Sequence, residues 1–279
     1  MEQTNQLIGP NGERIFIQLV TKEGAEAYLE RNERNRRIKE RSVEKYVRDM
    51  KGGNWLFNGS PVLISNDGEL LDGQHRLASI VKSGISQYMI IIEGVSREVL
   101  KTIDLGYPRT QSDALRMLGI EDSKLLSTIA KKTMSQIYQI STKNISYSVE
   151  ELYKELTESP RITYYKEAVD FSKSFFRLYR MFSMATIGMM YVVLRYYNYS
   201  QEEISDFFDQ LLEMKESCNT IKNLRKRVKP DADRKLSVEE RERLLIRTFN
   251  EFSNGNTNYY VYNLRNKKSK EFICQKQKS

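Results

Sequence analysis

The chain has 279 residues, 39% of them hydrophobic and 29% charged, which excludes a collagen-like, disulfide-framed or wholly disordered protein and allows one large core or two modest ones. Forty-five Lys and Arg against 37 Asp and Glu leave a formal charge of +8, a balance that favours a polyanionic partner such as DNA. One histidine and two cysteines without ligand spacing, Cys218 and Cys274, argue against a structural zinc site, and the polar N-terminus lacks a signal-peptide pattern, so a cytoplasmic setting is expected.

RIFIQLV at 14–20 alternates apolar and polar positions, which predicts a half-buried strand, and Thr21 is placed to cap a helix over KEGAEAYLERN. A basic loop follows, RNERNRRIKERS, and Ser42 is expected to cap the amphipathic run VEKYVRDMKGG, which two glycines stop. PVLIS at 61–65 and ELLD at 69–72 flank Asn66, Asp67 and Gly68, a tight-turn signal for a β-hairpin. HRLASIVKSG then has the spacing of a short helix ending at Gly84, and YMIIIEGV at 88–95 that of a buried strand.

Past Pro108 nearly every segment from 110 to 254 has helical spacing, with breaks expected at Gly119, Ser159-Pro160, Tyr199-Ser200 and Pro230. MFSMATIGMMYVVL at 181–194 is too short to span a bilayer and is expected as a buried core helix or an oligomer interface, and YYVY after residue 258 as a strand before a basic tail. The expected fold class is α+β, a small mixed-sheet domain over 13–108 followed by an all-helical domain over 109–279 with a basic tail.

The lone histidine sits in LLDGQHRLAS, where a strand runs through Asp72 and Gly73 straight into a helix. Such a junction gathers main-chain N–H groups and the positive end of the helix dipole at one point, which suits a phosphate. Gly73 lets the main chain come close to a ligand, Arg76 can fork onto phosphate oxygens, His75 can donate to an oxyanion or move a proton, and Asp72 can hold a divalent cation such as Mg²⁺. Equally, Asp72 can cap the helix while His75 packs and Arg76 pairs with an acid, which is ordinary turn chemistry.

Over roughly residues 13–118 the chain resembles the ParB N-terminal and sulfiredoxin-like superfamily, in particular ParB-like proteins of phages and mobile elements. Four blocks carry the resemblance in order and spacing: NRRIKERSVEKYVRDMKGGNW, PVLISNDGELLDGQHRLASIVKSG, YMIIIEGV and TIDLGYPRTQSDALRMLGI. The resemblance implies that Gly73, Gln74, His75 and Arg76 bind nucleotide phosphates at a helix N-terminus, with Arg36 or Arg37 reaching the nucleotide from the basic loop. Gln74 and His75 depart from the GERR form of CTP-binding ParB proteins, and Gln74 stands where sulfiredoxin has its cysteine, so sulfinic acid reduction is not expected.

Asp72, Gly73, His75 and Arg76 also match the DGHHR form of free-serine kinases, for which Glu33 and Glu40 are upstream carboxylates, and proteins of DNA phosphorothioation systems carry a DGQHR segment. The implied chemistry is phosphoryl transfer or hydrolysis of nuclease or NTPase type with Mg²⁺ and a nucleoside triphosphate, in which His75, Arg76 and Asp72 act on the reacting group. The alternative is an adaptor without turnover that binds DNA or inhibits a host defence.

ParB proteins follow their nucleotide domain with a helix-turn-helix. Leu115, Gly119 and Leu125 have the spacing of one, although Leu115 is larger than the small residue such motifs prefer, and Asp104 and Arg109 could instead face the pocket. Farther on, Arg225, Lys226 and Arg227, and then Lys267 and Lys268 beside Tyr259, Tyr260 and Tyr262, are the candidate nucleic-acid contacts, to be weighed against plain solvated surface. DNA, a nucleotide and a second copy of the chain are the expected partners, and a membrane is not.

Overall fold

The computed structural model describes residues 6–32, 35, 37–101, 110–140, 146–178, 181–213, 215–228, 236–259 and 273. They fall into two compact units, one within Met1–Thr110 and Ile145–Glu150, the other within Gln111–Asn144 and Glu151–Ser279. The first is a mixed sheet with helices, and the second is helical throughout its described length.

In the first unit five strands, β1 (Leu7–Ile8), β2 (Arg14–Val20), β3 (Val62–Ser65), β4 (Leu70–Asp72) and β5 (Gln87–Val95), lie in the order β1-β2-β5-β3-β4. β5 pairs antiparallel with β2 from Arg14 opposite Glu93 to Val20 opposite Gln87, and parallel with β3. All four residues of β3 are buried, which explains an apolar run that does not alternate. β2 does alternate, leaving Ile17 and Leu19 exposed beside Tyr88 of β5.

Among its described residues, three α-helices lie wholly within this unit, α1 (Lys22–Leu29), α2 (Glu40–Lys51) and α3 (Gln74–Ser83). They bury Ala25, Met50, Leu77 and Ile80 with Val20, Val62, Ile64, Leu70, Met89 and Ile91 of the sheet. Each such aliphatic side chain contributes about 1.5–3 kcal/mol when removed from water, so α3 is fixed from below by Leu77 and Ile80. Thr21 caps α1 through Oγ1, which accepts the Gly24 N–H at 3.2 Å, and Gly84 ends α3 in the left-handed region at φ +71°.

One predicted boundary is wrong. α2 starts at Glu40 with Lys39 at its N-cap and no side-chain cap, so Ser42 lies inside the first turn, its N–H donating to the Lys39 carbonyl at 2.9 Å. The start is set by tertiary contacts: His75 accepts the Lys39 N–H, and Lys82 of α3 pairs with Glu40 and Glu44.

The second unit comprises α4 (Gln111–Met117), α5 (Ser123–Ile137), α6 (Val149–Thr157, whose first residues belong to the first unit), α7 (Ile162–Leu178), α8 (Met184–Tyr196), α9 (Gln201–Leu211), α10 (Asn219–Val228) and α11 (Val238–Ser253). α8 is the expected core helix, buried from Ala185 to Leu194 and packed on α5 and α7. Gly188 permits the close α5 crossing, since a Cβ there would run into the Ile129 side chain. Phe171 packs against Phe175, Tyr191 and Phe208, and Phe207 joins Phe208 to Phe249 and Phe252.

Glutamates of α9 and α11 complete capping boxes, Ser200 with Glu203 and Ser237 with Glu240. The expected breaks at Gly119, Ser159-Pro160 and Tyr199-Ser200 are present, whereas the ends of α5, α7 and α9 carry no break signal in the spacing. Pro230 and the tail strand lie outside the described residues. Among the described residues no helix is long and apolar enough to cross a membrane.

Candidate functional site

The β4–α3 junction is built on Gly73. Its φ of +110° is open to glycine at little cost, and a Cβ at this position would come within 3.0 Å of Val62 Cγ2 on β3. Because the chain turns so tightly, Gly73 and not Asp72 is the N-cap of α3, and no side chain caps the helix. The first turn of α3 holds no acidic residue either, and the Asp72 carboxylate just before it is engaged by Arg76.

Arg76 points back toward the strands. Nη2 donates to the Pro61 carbonyl at 2.7 Å and to Asp72 Oδ2 at 3.0 Å, and Nη1 donates to the Ser60 carbonyl. A guanidinium has five N–H donors, so these three bonds leave two, on a side chain only 12% exposed. Asp72 and Arg76 thus close an i, i+4 pair that also fastens the segment entering β3.

Gln74 is buried, and its Oε1 accepts from Asn32 Nδ2 at 3.1 Å. Asn35 Nδ2 in turn donates to Asn32 Oδ1 and to the Leu70 carbonyl, each at 2.6 Å, while the Leu70 N–H donates to the Arg31 carbonyl at 2.9 Å. His75 Nε2 accepts the Lys39 N–H at 3.0 Å, which requires the tautomer with its proton on Nδ1. The basic loop is therefore stitched at both ends onto β4 and the start of α3.

Spacing gave no role to Asn32 and Asn35, and their lock on Gln74 is the feature sequence reasoning missed. Two asparagines in an otherwise charged run were the available signal, since short amides favour local and main-chain bonds over solvent. Arg37 and Lys39 of the loop are exposed, and Arg31 lies 5.9 Å from the Tyr28 ring centroid. Glu40 pairs with Lys82, and Arg36, Glu33, Asp104 and Arg109 lie outside the described residues.

Asp72 is the carboxylate at the turn that could serve a cation, and no group of three His, Cys, Asp or Glu side chains forms a metal cluster among the described residues. A Mg²⁺ that arrives with phosphates commonly takes only one or two protein carboxylates, so Asp72 fits that mode and not a resident all-protein cage.

The other candidates are elsewhere. On α10, Lys226 and Arg227 are exposed, but Arg225 pairs with Glu213 and donates to Ser217 Oγ at 3.1 Å. Lys267, Lys268, Tyr260 and Tyr262 lie outside the described residues, and Tyr259 holds α10 by accepting from Asn223 at 3.1 Å.

A helix, a turn with Gly119 at φ +86° and a second helix do follow one another in α4 and α5. Yet α5 buries Ser127, Ile129, Ala130, Thr133 and Met134, and only Lys124 and Thr128 are exposed along it. A helix that reads a DNA groove needs a face free to enter it, and α5 keeps most of its surface inside the protein. No protein-family model, characterised protein or solved structure matches the chain.

Proposed function

We propose that the first unit is a ParB/sulfiredoxin-like phosphate-binding domain, of the type found in phage and mobile-element proteins, that takes a nucleoside triphosphate or a nucleic-acid phosphate at the β4–α3 turn. One observation carries this reading: the loop bearing Arg31, Arg37 and Lys39 is bound through Asn32 and the Lys39 N–H to an α3 whose first turn holds no acid, the Asp72 carboxylate before it being paired with Arg76. The main chain of a cationic loop thereby meets a helix N-terminus, a setting in which an anion lowers the electrostatic cost.

In this reading Gly73, Gln74, His75 and Arg76 supply main-chain and side-chain donors, Arg36 and Arg37 supply charge, and Asp72 serves a Mg²⁺ that comes with the phosphates. Lys226, Arg227, Lys267 and Lys268, with Arg225, supply a separate sequence-independent attraction for DNA. Calorimetry with ATP, CTP and Mg²⁺ tests the first part. Binding that weakens at least about tenfold in Arg37→Glu supports it, and no binding of either nucleotide removes the nucleotide and leaves only a nucleic-acid phosphate for the turn.

Turnover is the less favoured half of the proposal. His75 spends its acceptor nitrogen on Lys39 and Arg76 spends three donors inside the protein, which fits an adaptor that binds without reacting. Nuclease or NTPase action by these residues requires His75 to release Lys39 and accept a proton at Nε2. Phosphate release from ATP or CTP, or nicking of DNA, that His75→Ala abolishes would restore the enzyme reading.

A further inference from the structure

In the second unit two helices begin at one cavity of about 1020 Å³, α5 at Ser123 and α8 at Met184. The volume is at the upper end of what small-molecule sites enclose. Leu125 and Thr186 already have acceptors for their N–H groups, the Asp122 carbonyl at 2.9 Å and Ser183 Oγ at 3.1 Å. The amides before them, at 123 and 124 and at 184 and 185, have none among the described residues, as expected for the first positions of a helix.

Helix ends alone do not make a site. Ser123, however, is only 8% exposed, lines this cavity, and its hydroxyl has no hydrogen-bond partner among the described residues. A hydroxyl that lines a cavity and makes no bond within the described residues is free to pair with a ligand atom. Asp122, the residue before it, does not cap α5 with its side chain and is held by Lys173 at 2.8 Å. That pairing draws the carboxylate's charge away from the helix end, while the cavity's remaining cations, Arg116 and Lys124, have no ion-pair partner among the described residues.

Glu121 is the only other charged lining residue, so cations outnumber carboxylates three to two. The rest of the wall is largely apolar, with Ile120, Leu125, Met184 and Ala185. We propose that this cavity binds a small organic phosphate monoester, its phosphate held between the α5 and α8 N-termini by Ser123 Oγ, Lys124 and Arg116, and its organic body on the apolar wall. The chemistry needs both parts: the paired helix ends select the anion, and the apolar wall distinguishes an ester from free phosphate.

Calorimetric titration of the full chain with phenyl phosphate and with inorganic phosphate tests this. Phenyl phosphate should bind at least about tenfold more tightly than inorganic phosphate, Ser123→Ala should weaken it several-fold, and Lys124→Glu should remove it. Lys124 is exposed in the first turn of α5, where a glutamate suits the helix dipole, so this variant keeps its fold and tests charge alone. Absence of binding, equal binding of the two probes, or binding that survives both substitutions would overturn the proposal, the last by placing the phosphate at another site such as the β4–α3 turn.

Discussion

His75 Nε2 accepts the main-chain N–H of Lys39 at 3.0 Å, so the chain's single imidazole joins the first turn of α3 to the start of α2. His75→Ala removes that acceptor and should cost about 1 kcal/mol, the net worth of an ordinary hydrogen bond. The loss should show as faster amide hydrogen exchange at the start of α2, and His75→Gln, which keeps an acceptor, should recover part of it. An unchanged exchange rate at Lys39 and Ser42 in His75→Ala would contradict the clamp.

Gly73→Ala should destabilise the first unit by about 1–3 kcal/mol, because a side chain must enter the left-handed region and press on Val62. Gly84→Ala provides the comparison, with φ of +71° but open space around its Cβ, and should cost less. Denaturant midpoints of the two variants separate crowding from backbone strain, and equal losses would show that Val62 yields.

Much of the first unit is readable from residue patterns, and the reasons are local. RIFIQLV becomes β2 at its predicted bounds because alternation and β-branching act along the strand itself, and Asp67-Gly68 makes the hairpin because Gly68 adopts φ +87°. Ser42 misleads because His75 and Lys82, distant in sequence, decide where α2 begins. The Asp72 to Arg76 cluster is visible as a motif, but its bonding is not: whether Arg76 faces a ligand or the Ser60 and Pro61 carbonyls depends on how β3 enters the sheet. The α4–α5 pair likewise has the spacing of a helix-turn-helix, while the burial of α5 depends on α8.

In the second unit Glu155, Arg161 and Tyr165 form a buried cluster, with Arg161 Nε and Nη2 on the two carboxylate oxygens at 2.8 and 2.6 Å and the Tyr165 hydroxyl on Oε1 at 2.6 Å. Arg161→Met should cost about 3–5 kcal/mol by leaving Glu155 unpaired, and adding Glu155→Leu should restore much of that loss. A double-mutant cycle on thermal or denaturant unfolding measures the recovery.

Burial, reinforced by the Glu155 charge, raises the Tyr165 hydroxyl well above its ordinary value, and burial with Glu167 raises that of Tyr191. Both phenols are thus held protonated in the folded chain. The folded state binds more protons than the unfolded one above about pH 10, so this contribution is complete below that pH and is lost as pH rises through the raised folded values. Stability should fall on the alkaline side, and Tyr165→Phe should flatten the fall. A slope identical to that of the unsubstituted chain would show that Tyr165 does not titrate with unfolding.

For DNA, the exposed Lys226 and Arg227 predict a salt-dependent, sequence-independent affinity. Replacing both by Glu should weaken duplex binding and reduce the slope of log K against log salt by about 1–2. Binding with no salt dependence would contradict a phosphate contact.

Phosphate is expected at the β4–α3 turn. A crystal structure with a non-hydrolysable nucleoside triphosphate and Mg²⁺ decides this. Phosphate oxygens are expected against the main chain of Gly73 to Arg76, with Arg37 turned toward them. Phosphates lying elsewhere, with the Asn32–Gln74 and Lys39–His75 bonds undisturbed and no density at the turn, would contradict it.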